Sequence, residues 1–178
     1  MQNKNTFELI KTLDFNSDKK LSNLSQLFFL IIAGLGVGAI FLFRLYDNHE
    51  SKTVFIVLSC IAYIIIHELT HIIFMKLFSK EKILFHFKFP YVAVGSASYF
   101  NKYQFIIIAL APIVLYTVVL SALFLVFPQS VNLLLSIVMI LNFAGSSGDI
   151  LQAYEISKLK KDIYIQDDGL SAKIYTKS

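Results

Sequence analysis

Cysteine is almost missing from this chain of 178 residues, which has Cys60 alone. One thiol cannot form an internal disulfide or a Cys-based zinc site. Charge is scarce as well. Asp, Glu, Lys and Arg make up 16% of the chain, against about 25% in soluble domains. Apolar residues reach 56%, where about 45–50% is usual, and mean hydropathy is +0.66. The excess is gathered into blocks, which reads as membrane spans rather than a greasy globule. The net charge of +4 suits anionic lipid headgroups. No stretch reads as a nucleic-acid module, so the lipid bilayer is the expected partner and nucleic acid is not. The first apolar block starts late and lacks a small-residue cleavage site, so residues 1–26 do not read as a signal peptide.

Four apolar blocks, at about 27–46, 53–78, 104–127 and 130–152, each approach the ~20 residues that a ~30 Å hydrocarbon core requires. The expected organisation is a cytoplasmic segment 1–26, a four-span membrane domain 27–152 and a cytoplasmic tail 153–178. Lysine placement sets the orientation. Lys4, Lys11, Lys80, Lys82, Lys158 and Lys173 fall in the segments 1–26, 79–103 and 153–178, while the opposite loops keep only Arg44 and Lys52. By the positive-inside rule both termini face the cytoplasm of a multi-pass protein of the cell membrane.

Histidine is also rare, at four residues, and two of them sit inside the second span. Residues 67–71 read His67-Glu68-Leu69-Thr70-His71, an H-E-x-x-H motif. On a helix His67 and His71 are one turn apart on one face, so both imidazoles reach one zinc ion. Glu68 stands beside them as a general base for a water that the metal activates. Ionised groups within a bilayer cost roughly 3 kcal/mol or more each, so they mark function by default. Cys60 lies two turns earlier, too far to share the metal, and reads as a packed thiol. His49, in an outer loop, and His86 read as structural or solvated.

A catalytic zinc takes three protein ligands and one water. The third is expected from the fourth span, where Asn142, Gly145, Ser146 and Asp149 fall at i, i+3, i+4 and i+7 and form one polar stripe. Counted at 1.5 Å per residue, Asp149 and the two histidines lie at similar depths toward the cytoplasmic leaflet. Asp149 is the expected third ligand, the alternative being that it only caps the span at the interface, and Asn142 is the expected holder of a substrate backbone or oxyanion. Glu155 and Asp162 lie beyond the membrane edge among lysines. In the first span Gly34 and Gly38 form a small-xxx-small surface for close helix packing, and Pro112 predicts a bend in the third.

Ile83 to Phe100 breaks the helical pattern. Phe85, Phe87 and Phe89 alternate with His86 and Lys88 before a Pro and a Gly break, which reads either as two short strands or as an interfacial loop wedged into headgroups. Ile163–Ile165 and Ala172–Tyr175 around Asp167-Asp168-Gly169 predict a weaker hairpin in the tail. The expected fold is therefore an all-α integral membrane protein: four transmembrane helices, a short β-hairpin between helices two and three, and a small tail.

These residues carry a resemblance. His67-Glu68-Leu69-Thr70-His71 on a second span, with Asn142 to Asp149 on a later one, resembles the site-2 protease group of intramembrane zinc peptidases. Within that group the chain looks closest to a small bacterial branch of zincin-type peptidases, which Ala109-Leu110-Ala111-Pro112 also resembles. The likeness covers roughly residues 55–152. The larger group takes its third ligand from a Leu-Asp-Gly motif, where this chain has Gly148-Asp149-Ile150, so Asp149 matches by position. The resemblance implies a zinc metallopeptidase that cleaves a membrane protein or peptide substrate in or beside the bilayer. Two alternatives stand beside it: a non-catalytic membrane protein with a structural zinc clamp between spans two and four, and a metal transporter. A clamp normally has four protein ligands, and a transporter predicts further polar residues that spans one and three lack.

Overall fold

The computed structural model describes residues 7–14, 17–47, 53–88, 91–159 and 162–177; His49 and Lys52 lie outside them. Four segments are long and apolar enough to cross a membrane. The first is α1 (Lys19–Leu42), whose 24 residues span about 36 Å at 1.5 Å per residue. Asp18 caps it, its carboxylate accepting from Lys20 N at 2.9 Å and Leu21 N at 3.2 Å. The second is α2 (Thr53–Phe78), and the third is α3 (Lys102–Val126). A reciprocal capping box starts α3: Asn101 accepts from Gln104 N, and the Gln104 side chain accepts from Asn101 N. The fourth begins with a short 3₁₀ turn at Gln129–Val131 and continues as α4 (Asn132–Gly145) and α5 (Ser147–Ser157). Leu35, Leu42, Phe55, Val118 and Leu125 all point outward, exposed. So much apolar surface is untenable in water and ordinary against lipid tails.

The fourth span is one helix in the sequence reading and two in the structure. Ser146 ends α4 in a turn, its hydroxyl donating to Asn142 O at 2.7 Å. That back-bond competes with the helical ladder. The chain then restarts, which puts Asp149 in the first turn of α5, where the helix dipole favours a carboxylate.

The fold is not all-α with a single short hairpin. Among the described residues there are six strands in two antiparallel sheets. β2 (Ile83–Lys88) pairs with β3 (Tyr91–Ser96), from Ile83 opposite Ser96 to Lys88 opposite Tyr91. The larger sheet runs β1-β6-β5-β4, with β1 at Phe7–Asp14, β4 at Phe100–Asn101, β5 at Ile163–Asp167 and β6 at Ser171–Lys177. Phe7 lies opposite Lys177 and Asp14 opposite Ser171. The two ends of the chain are thus not separate appendages: they share one sheet at one end of the bundle. Leu13, Phe100, Phe105, Ile156, Ile165 and Ile174 fill the core between this sheet and the helix ends. Lys102 ties the layers together, donating from Nζ to Ser157 O and Leu159 O at 2.6 Å each and so satisfying carbonyls at the end of α5.

The expected glycine surface on α1 is also corrected. Gly34 and Gly38 face open space, whereas a Cβ on Gly36 would collide with the Ile140 side chain of α4. Two residues along a helix is about 200° of rotation, so Gly36 lies on the opposite face from the other two. That is the face that packs.

Candidate metal centre

His67 and His71 are both buried on the inner face of α2. Their Nε2 atoms are 3.2 Å apart. Asp149 places Oδ2 at 3.4 Å from His67 Nε2 and Oδ1 at 3.7 Å from His71 Nε2. The three residues form a potential metal-binding cluster. A tetrahedral ion with bonds of about 2.0–2.1 Å sets its ligand atoms roughly 3.3 Å apart, so these spacings fit zinc and its preference for nitrogen and oxygen donors.

The hydrogen bonds behind the imidazoles define which nitrogen is free. His71 Nδ1 lies 2.9 Å from Ile108 O, and a carbonyl can only accept. His71 therefore carries its proton on Nδ1 and presents an Nε2 lone pair. For His67 the chain is longer. Thr117 Oγ1 donates to Ile113 O at 2.6 Å, so it accepts from Asn142 Nδ2 at 3.0 Å. Asn142 Nδ2 also donates to Ile113 O at 3.3 Å, which turns Oδ1 toward Tyr63. The Tyr63 hydroxyl donates its one proton there at 2.7 Å. It must then accept from His67 Nδ1, 3.0 Å away. Both Nε2 atoms are thus acceptors facing each other beside a carboxylate, an arrangement that calls for a cation.

Asn142 is fully buried and its amide is engaged on both sides by protein groups. It stands behind His67 rather than in open space, so no free amide proton remains for the substrate contact expected of it. Glu68, half-buried, shares a cavity of about 680 Å³ with His67, His71, Asp149, Asp167 and Leu170. The tail hairpin supplies the last two. Its turn holds Gly169 at φ +86 and presses on β3, where a Cβ on Gly95 would fall on the Asp168 and Gly169 backbone. Gln166 Nε2 also donates to Ala97 O at 2.8 Å. Burial, reinforced by Asp168 next to it, pushes the Asp167 carboxyl up to about 7. Glu155 is elsewhere, paired with Lys11 at 3.4 Å and Lys158 at 2.8 Å. His86 stands on β2 beside the Gly169 turn.

The sequence model of the family described as "Putative zincin peptidase" matches residues 60–164, more than half of the chain. The chain belongs to this family. No curated protein and no solved structure matches it. Membership in a zincin family implies zinc, and the matched stretch holds His67, Glu68, His71 and Asp149. It stops before the tail turn that lines the cavity. Tyr63, Thr117 and the Ile108 carbonyl escaped the sequence reading of this zincin site. Tyr63 had a legible signal, since it precedes His67 by four residues on the same face. A backbone carbonyl has none.

Proposed function

We propose that this zincin is a zinc-dependent intramembrane endopeptidase, related to the site-2 protease group, with a membrane protein or membrane-adjacent peptide as substrate. The observation that carries the reading is the His67, His71 and Asp149 donor set lining one cavity with Glu68, on helices apolar enough to lie in a bilayer. His67, His71 and Asp149 would hold the metal. Bound there, zinc supplies Lewis acidity, polarising the scissile carbonyl and bringing the pKa of a coordinated water to about 7. Glu68 takes the proton of the attacking water and passes it to the leaving amine. A helical substrate must unwind to expose a peptide bond. The outer edge of β2, which no described strand pairs, offers main-chain hydrogen bonds to such an extended segment. The lysine distribution supports an orientation with both termini in the cytoplasm.

A structural clamp is disfavoured, because it is normally closed by four protein ligands and the described cluster holds three. The test is cleavage of a membrane-anchored peptide in reconstituted bilayers, wild type against Glu68→Gln at matched zinc content. The amide cannot accept a proton, so cleavage should fall by about 10²–10⁴-fold with zinc retained. Equal rates would remove Glu68 from the mechanism.

A further inference from the structure

Pro112 lies buried inside α3, where proline costs a helix about 3 kcal/mol relative to alanine. It has no N–H to donate to the carbonyl four residues back, and its ring crowds that carbonyl. The carbonyl concerned belongs to Ile108. A residue with an N–H at position 112 would claim it; here it accepts from His71 Nδ1 at 2.9 Å. The residue that weakens α3 thus frees the acceptor that orients a metal ligand on α2. Asn142 has a parallel place behind the other imidazole, reaching His67 through the Tyr63 hydroxyl.

We propose that Pro112 and Asn142 are positioning residues of the metal centre. Pro112 leaves the Ile108 carbonyl free to accept a hydrogen bond from His71 Nδ1–H, and Asn142 orients the Tyr63 hydroxyl to accept one from His67 Nδ1–H. Each imidazole is thereby held with its Nε2 lone pair toward Asp149. The inference rests on the zinc reading above. Its physical basis is general: the outer hydrogen bond of a ligating histidine selects the tautomer and raises its basicity, and removing it weakens metal binding about 10- to 100-fold.

The experiment measures zinc affinity by competition with a chromogenic chelator, together with thermal unfolding of the metal-free protein. In Pro112→Ala the restored N–H draws the Ile108 carbonyl back along the helix axis. Zinc should bind about tenfold more weakly, while the metal-free protein unfolds at the same or a higher temperature. That split is the signature, because a proline needed only for shape would lower stability and leave affinity alone. Asn142→Leu should also weaken zinc binding, and so should Tyr63→Phe, which removes the acceptor of His67 Nδ1 and leaves Asn142 in place. Wild-type affinity in Pro112→Ala and Asn142→Leu would overturn the inference and leave the zinc reading standing. A wild-type protein that binds no zinc would overturn both.

Discussion

Replacing Gly95 by alanine tests whether the tail hairpin forms a wall of the zinc cavity. Gly95 is buried in β3 opposite Leu84. An added Cβ would fall on the carbonyl carbon and oxygen of Asp168 and the nitrogen of Gly169. These are backbone atoms, so no side chain can rotate away, and Gly169 is already held at φ +86. The turn has to lift off the strand. Overpacking of this kind costs about 1–3 kcal/mol, and 1.4 kcal/mol is tenfold in an equilibrium. The open form of the turn should therefore gain about 5- to 150-fold in population. Hydrogen exchange of peptides covering residues 93–97 and 166–171, in reconstituted protein, reads this directly. Cleavage should fall with it, because Asp167 and Leu170 leave the cavity lining. Gly34→Ala is the control: nothing lies within 4 Å of its added Cβ, and alanine favours a helix by about 1 kcal/mol. Unchanged exchange in both segments of folded Gly95→Ala would refute the contact and its role as a cavity wall.

Other outcomes follow from the same geometry. Asp149→Ala should lose most bound zinc, since two imidazoles cannot hold a tetrahedral ion tightly, whereas Glu155→Ala, paired with Lys11 and Lys158, should keep it; metal analysis of the purified variants decides. Burial raises the Asp167 carboxyl from its ordinary 3.8 to about 7, so between those values the folded chain binds more protons than the unfolded one. Stability should fall as pH rises through that window and stay lower above it, and Asp167→Asn should flatten the dependence of thermal unfolding between pH 5 and pH 8. In a Cys60→Ser background, cysteines at Ser17 and Ser171 should resist an impermeant thiol reagent applied outside intact cells; labelling of either would reverse the orientation read from the lysines.

Hydropathy alone located four helices long and apolar enough to span a membrane, the first of them starting earlier than read, at Lys19, because a ~30 Å apolar slab demands ~20 apolar residues in a row and that is a local property. The H-E-x-x-H spacing was legible for the same reason: a helix turns His67 and His71 to one side whatever surrounds it. The Asp167-Asp168-Gly169 turn announced β5 and β6 through its own backbone preferences. β1 announced nothing, since Phe7–Asp14 becomes a strand only by pairing with β6 at the other end of the chain. Spacing points to Gly34 and Gly38 as the packing face of α1, whereas Gly36 is the glycine that meets Ile140, because spacing identifies a face without saying which neighbour arrives. The stripe from Asn142 to Asp149 was read as one helix and is broken at Ser146, so Asp149 meets the imidazoles while Asn142 turns behind them. Residue types and their period on a helix supplied the donors. Which nitrogen of each imidazole is free was decided by packing: α3 brings the Ile108 carbonyl to His71, and α4 brings Asn142 to the Tyr63 hydroxyl, which leaves that hydroxyl to accept from His67.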